Sequence, residues 1–219
     1  MPEVMFSGAD GRLEGRYQPS RNGDDAPVAV ILHPHPQQGG DMDNKVVHTL
    51  FHVFARRGFS VLRFNFRGVG RSQGTCDGGA GELSDAASAL DWLQQMNTGA
   101  RLFWVAGFSF GAWIGMQLLM RRPELNGFVA VAPPANQHDF TFLAPCPSSG
   151  LILHGDRDPE VPHDASSRLA GRLDGQGNVR VDFRLIKGAD HGFLDHLEPM
   201  ARTVDGYLAE RVSQPEPAR

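Results

Sequence analysis

Two cysteines, Cys76 and Cys146, are all that 219 residues contain. They stand 70 positions apart and lack the short paired spacings of a metal knuckle, which excludes a disulfide framework and suits a reducing compartment. No apolar stretch approaches the roughly 18 residues that a membrane-spanning helix needs, and residues 1–16 hold no run of signal-peptide length. The expectation is a soluble, cytoplasmic protein with no membrane partner. Positive charge is not in excess either: 21 basic against 25 acidic side chains give a formal net charge of -4, and no local basic patch overrides that total. Nucleic acid is therefore not an expected partner. Internal repeats and low-complexity blocks are also missing. What remains is 41% hydrophobic and 21% charged, with 26 Gly and 15 Pro that signal many tight turns. This length and composition fit one globular domain over 1–212, followed by a frayed tail over 213–219 that carries Pro215 and Pro217.

Within that domain the hydrophobic pattern alternates. Residues 6–16 carry Ala9-Asp10-Gly11 between short segments, which predicts an antiparallel hairpin turning at Asp10-Gly11. Val28–Leu32 is an apolar run, and Val46, Val47, Leu50, Phe51 and Phe54 then follow at helical spacing until Gly58. Strands are predicted over 59–66, 102–107, 127–132, 151–154 and 179–186. Helices are predicted over 83–96, from near Ser109, over 164–173, and through Leu197, Met200, Ala201, Val204 and Leu208. Continuous apolar strands interleaved with amphipathic helices require a parallel sheet covered on both faces, so the fold class is α/β. In such sheets ligands bind at the carboxyl ends of the strands, and chemistry is to be sought just after each strand.

Gly107-Phe108-Ser109-Phe110-Gly111 matches Gly-x-Ser-x-Gly, a strand-to-helix turn that presents a serine hydroxyl. With 26 Gly and 12 Ser the pattern would arise by chance about 0.17 times in a chain of this composition, so its context has to carry the case. That context is a buried-type strand before it and a helix with Trp113, Ile114, Gln117 and Leu118 after it, and the bland alternative is a loop with a serine N-cap. A serine hydroxyl needs an imidazole base, itself oriented by a carboxylate. His191, in the glycine-flanked loop after the last predicted strand, is the candidate base, with His196 as competitor and His154 read as packing. For the acid, Asp156, Asp158 and Glu160 all follow one strand and Asp139 follows another, and residue chemistry alone does not choose among them.

Six stretches together resemble the α/β-hydrolase superfamily. They are His33-Pro34-His35-Pro36-Gln37-Gln38-Gly39-Gly40, Met42-Asp43-Asn44-Lys45, Phe64-Asn65-Phe66-Arg67-Gly68-Val69-Gly70-Arg71-Ser72, the Gly-x-Ser-x-Gly, His154-Gly155-Asp156-Arg157-Asp158 and Gly188-Ala189-Asp190-His191. Within it, the chain is most similar to small bacterial serine hydrolases akin to dienelactone hydrolases but with serine as nucleophile. The resemblance implies a three-layer α/β/α sandwich, a mostly parallel twisted sheet with antiparallel N-terminal strands and no cap domain. It selects Asp158, four residues before the proline of a Gly-x-x-Asp-x-x-Val-Pro type stretch, as the acid, and leaves Asp156 to turn chemistry. It also implies an oxyanion hole of two backbone N–H groups, one from Phe110 and one from the loop after Val28–Leu32. Pro34 and Pro36 have no N–H, which leaves His35 or Gln37, and alignment on the His-Gly-x-Pro stretch of relatives favours His35 even though Pro34 replaces the usual glycine.

The implied activity is hydrolysis of a small-molecule carboxylic ester through an acyl-enzyme, with no cofactor and no metal. A thioesterase, a perhydrolase or a non-catalytic binding relative are the alternatives. Phe108, Phe140 and Phe193 are expected to line the substrate wall, and residues 133–147 to form part of a shallow, open site suited to small or extended esters. Two rival motifs are weaker. His33-x-His35 and His48-x-x-x-His52 lack a third metal ligand at a telling interval. Gly68-Val69-Gly70 lacks the third glycine of a dinucleotide fingerprint, and a structural loop is expected there.

Overall fold

In the computed structural model, which describes residues 2–212, the hairpin opens the fold: β1 (Glu3–Gly8) and β2 (Gly11–Gln18) pair antiparallel. The predicted tail over 213–219 lies outside the described residues. The hairpin turn closes at Gly11, whose φ of 117° is glycine territory. The next strand, β3 (Val28–Leu32), is buried at every position, and so is β4 (Ser60–Phe64). Between them lies α1 (Lys45–Arg56), where Asn44 Oδ1 accepts the Val46 N–H at 2.9 Å and so caps one of the orphan donors of the first turn. Gly58, at φ 85°, ends the helix where the sequence pattern stops.

The rest of the chain repeats the crossover. α2 (Ala80–Met96) leads to β5 (Phe103–Phe108), α3 (Phe110–Arg121) to β6 (Leu125–Val131), then β7 (Gly150–Gly155), α4 (His163–Leu173), β8 (Val181–Ile186) and α5 (Leu197–Val212). Strand order is β1-β2-β4-β3-β5-β6-β7-β8, with β2 antiparallel to β4 and every pair from β4 to β8 parallel. Alternate strand residues serve opposite layers. Val30, Leu32, Val105, Ala130 and Ile152 pack against α2, α3 and α4, whereas Ala29, Ile31, Ala106, Val129 and Leu153 pack against α1 and α5. The result is the three-layer sandwich, and no cap interrupts it: the one helical element in residues 132–149 is the three-residue turn Thr141–Leu143. Among the described residues no helix is long and apolar enough to cross a membrane.

The order in which strands are added switches sides at β3, which sits between β4 and β5. Connections leaving the carboxyl ends of β3 and β5 therefore diverge and open a crevice, the place where such sheets hold ligands. His33 directly follows β3. Its ring is wholly buried, Nε2 accepts the Phe66 N–H at 3.0 Å, and Nδ1–H donates to the Pro34 carbonyl at 2.6 Å. Burial, with a smaller contribution from nearby His35, pushes the imidazole down to about 4 despite the Pro34 bond. The folded state thus resists a proton that the unfolded chain accepts near pH 6.5, so stability is lost as pH falls from about 6.5 to about 4 and the loss saturates below that. At ~1.4 kcal/mol per unit the full effect is about 3 kcal/mol. Denaturant unfolding at pH 7 and pH 4 should show it, and His33→Gln, which keeps one acceptor and one donor but cannot titrate, should remove that share of the acid destabilisation.

Candidate active site

One residue, Ser109, turns the chain from β5 into α3, and it does so at φ 52°. A non-glycine residue there costs roughly 1–3 kcal/mol, which the surroundings must hold in place. They do so because its glycines allow close approach: a Cβ on Gly107 would collide with the Gly111 carbonyl, and one on Gly111 with the carbonyls of Leu32 and His33. The Ser109 N–H donates to Val131 O at 2.9 Å, which ties the turn to β6.

The loop after β7 delivers Asp158, whose side chain is fully buried. Oδ1 accepts the N–H groups of Glu160 at 2.8 Å and Val161 at 2.9 Å. Oδ2 meets His191 Nδ1 at 2.7 Å and His154 Nε2 at 3.0 Å. Burial alone would raise this carboxyl group, but the bonds from His154, His191 and the Val161 N–H outweigh it and hold Asp158 well below the usual carboxylate range. Because His191 Nδ1 faces a carboxylate it carries the ring proton, and Nε2 then presents its lone pair to Ser109 Oγ at 3.1 Å. Ser109, His191 and Asp158, far apart in sequence, thus form one hydrogen-bond chain.

The loop carrying His191, between β8 and α5, is tied to the loop after β7. Asp156 Oδ1 accepts the Gly188 N–H at 2.5 Å, and the Arg157 N–H donates to Ala189 O at 3.0 Å. Asp156 therefore holds the histidine loop and does not touch the imidazole. Asp139 is exposed and bonds Thr141, away from His191. His196 lies beside Gly188, its Nε2 3.2 Å from where a Cβ would stand. His154, read from the sequence as packing, instead bonds Asp158, a contact that strand periodicity cannot show.

Of the two N–H groups left open after β3, that of Gln37 is taken by His35 Nδ1 at 3.2 Å. The His35 N–H has no such claim on it among the described residues, and Phe110, first residue of α3, has an N–H with no intrahelical acceptor. The α3 dipole adds partial positive charge at the same point.

The three phenylalanines expected to line the substrate wall are all buried. Phe193 is wholly buried in the core layer formed with α1 and α5, and its backbone has a φ of 54°. Phe140 is buried in the opposite layer and stacks on Phe142 with ring centroids 6.0 Å apart. Phe108 is also buried, although its ring lies 5.2 Å from that of His191. Half-buried rings take their place around Phe110: His35 at 4.6 Å and Trp113 at 5.6 Å, with His138 stacked on Trp113 at 4.1 Å. Trp113 Nε1 donates to Asp139 O at 3.1 Å, which fixes the indole to the 133–147 segment. Burial and the neighbouring His35 push the His138 imidazole down, so this rim favours an uncharged form.

The residues of the rival motifs make other contacts. His48 and His52 Nε2 atoms are 3.2 Å apart on α1. Both His33 nitrogens are engaged as described. In the Gly68-Val69-Gly70 loop, Arg67 bonds Asp85 of α2 through its N–H at 3.0 Å, Nε at 3.0 Å and Nη2 at 2.8 Å, a buried pair that pins the turn.

Comparison with known proteins agrees with this architecture. Residues 16–185 match the family model described as X-Pro dipeptidyl-peptidase (S15 family). A Rickettsia prowazekii protein, RP471, is 49% identical over 212 residues, covering 95% of this chain and 89% of the relative. The structure of ATU1826 from Agrobacterium tumefaciens superposes with a TM-score of 0.94 at 54% identity, covering 99% of this chain and 100% of that one. XC6422 from Xanthomonas campestris, described as an α/β serine hydrolase without a lid, gives a TM-score of 0.85 at 27% identity over 99% of this chain and 96% of its own. With its capless sheet and these relatives, the chain belongs to the α/β-hydrolase superfamily, within the reach of the S15 family model and beside serine hydrolases that have no lid.

Proposed function

We propose that the protein hydrolyses small-molecule carboxylic esters through an acyl-enzyme on Ser109. The reading rests on one observation above all: the hydroxyl of a partly buried serine 3.1 Å from an imidazole whose other nitrogen meets a buried carboxylate at 2.7 Å. In this mechanism Ser109 Oγ attacks the ester carbonyl as its proton passes to His191 Nε2, and Asp158 stabilises the imidazolium that results. Negative charge develops on the carbonyl oxygen, where the N–H groups of Phe110 and His35 receive it. His191 then protonates the departing alkoxide, and water, activated by the same nitrogen, releases the acid and restores the serine. No cofactor has a part in these steps.

The capless 132–149 segment supports an open site for short or extended acyl groups rather than a deep tunnel. The family-model match favours a second reading, cleavage of a dipeptide after proline. A panel of aryl esters of graded acyl length, matched thioesters, peroxide with an acyl donor, and an X-Pro anilide distinguishes these. Short aryl esters are expected to give the highest kcat/KM. A higher value on the anilide, the thioesters or peroxide overturns the ester assignment, and no turnover with no fluorophosphonate labelling makes the protein a binding relative. Two unpaired cysteines support a cytoplasmic setting for this activity.

A further inference from the structure

His154, the penultimate residue of β7, is wholly buried, and the proposed chemistry gives it no task. Its Nε2 lies 3.0 Å from Asp158 Oδ2 and 3.0 Å from the Val161 carbonyl oxygen. Both neighbours are acceptors, so Nε2 carries the proton and donates. Nδ1 on the far side of the ring is buried and has no partner among the described residues. An aliphatic side chain at this point would avoid that orphaned nitrogen, so packing alone does not account for an imidazole here. The bond it makes is also specific. Asp158 Oδ1 is filled by two backbone N–H groups, and Oδ2 is shared between the N–H groups of His154 and His191.

We infer that His154 is a positioning residue: its Nε2–H holds the Asp158 carboxylate toward His191 and keeps it ionised although its side chain is fully buried. The inference rests on the hydrolase reading of the Ser109, His191 and Asp158 chain. Its consequence is chemical as well as steric. An N–H donated to Oδ2 lowers the affinity of the Asp158 and His191 pair for an added proton, whichever member holds it. Without that donor the pair takes up its proton at higher pH and the base is lost earlier on acidification.

Other groups around the pair are uncharged or unchanged by substitution at 154. From β5 and the start of α3 come the ring of Phe108 and the hydroxyl of Ser109. From the loop after β7 comes Glu160, exposed, with Oε2 3.9 Å from His191 Nε2, while Asp156 is occupied by the Gly188 N–H. In the loop before α5, Asp190 accepts its own Leu194 N–H and His196 sits beside Gly188.

Two variants test the inference through the pH profile of kcat/KM on a neutral aryl ester. His154→Phe fills the space without a donor, and His154→Gln places an amide N–H where Nε2 stands. His154→Phe is expected to move the acidic limb up by about one pH unit, the scale of one lost bond to a charged group. It should also lower kcat at pH 7 roughly tenfold with KM little changed. His154→Gln should keep the limb near the wild-type position. A limb that stays in place in His154→Phe while only Tm falls, or that moves equally in both variants, overturns the inference. Should the phenylalanine variant fail to fold, the nitrogen NMR signals of wild-type His154 decide: a protonated Nε2 with bare Nδ1 across the active pH range supports the role, and the opposite tautomer removes it. Wild-type protein without Ser109-dependent turnover or labelling would instead defeat the hydrolase reading itself, and the role of His154 with it.

Discussion

Ser109→Ala will lower kcat for ester hydrolysis by about 10^4 to 10^6, or ~5 to 8 kcal/mol of transition-state stabilisation, and leave the fold intact. The size follows from what the hydroxyl does: without it no acyl-enzyme forms, and what survives is water attacking an ester held in the crevice with its oxyanion donors still present. Stability is expected to hold because the Ser109 side chain makes its hydrogen bond to His191 and to no second group among the described residues. Alanine has the same Cβ as serine at the φ of 52°, so the strain of the turn is unchanged. The anchoring N–H to Val131 is backbone and survives as well. The measurement is single-turnover and steady-state hydrolysis by purified variant and parent, with Tm as the control. Turnover within tenfold of the parent would remove Ser109 from the proposed mechanism, and a large drop in Tm would mean that the turn depends on the hydroxyl in a way the hydrogen bonds do not show.

That serine was legible in the sequence because its signal is local. Two glycines and a serine at fixed spacing, after an apolar strand and before a helix, specify a turn whose geometry is set within five residues. The strands were legible for a related reason: burial on both faces leaves few polar residues inside them, so 28–32 is read to the residue. Ends were less so, and α2 begins at Ala80 rather than near Leu83, because Asp77 and Glu82 bond the N–H groups of Gly79 and Gly81 and extend the first turn. The carboxylate that meets His191 lay beyond local reading. Asp156, Asp158 and Glu160 share one loop, and which of them meets His191 depends on contacts with β7 and with the loop after β8, distant in sequence. Resemblance to relatives chose among them where residue chemistry did not. The burial of Phe108, Phe140 and Phe193 was not legible, for the opposite reason. An aromatic residue in a loop has no periodicity to say which way it faces, and Phe193, in the loop before α5, packs into the core.

Exchange of Asp158 for asparagine should cost about 10^4 in kcat, ~5 kcal/mol, while the same exchange at Asp156 should cost less than about tenfold. The two aspartates are two residues apart and differ in what an amide can imitate. At 156 the carboxylate accepts one N–H, from Gly188, and an amide oxygen accepts it equally well. At 158 the demands conflict. Oδ1 faces two N–H donors, those of Glu160 and Val161, so the amide oxygen must turn there and the NH2 group must occupy the place of Oδ2. That NH2 then points at His191 Nδ1, which can answer only as an acceptor. The proton moves to Nε2, the nitrogen that faces Ser109, and an imidazole already protonated on that side cannot take the serine proton. His154 Nε2–H meets the same NH2 group and keeps only the Val161 carbonyl oxygen as acceptor, so the variant is wrong in tautomer and loses the bond from His154 at once. Parallel kinetics of the two variants, with unfolding midpoints to separate lost function from lost structure, test the ranking; a larger loss at 156 than at 158 would transfer the orienting role to the residue that holds the histidine loop.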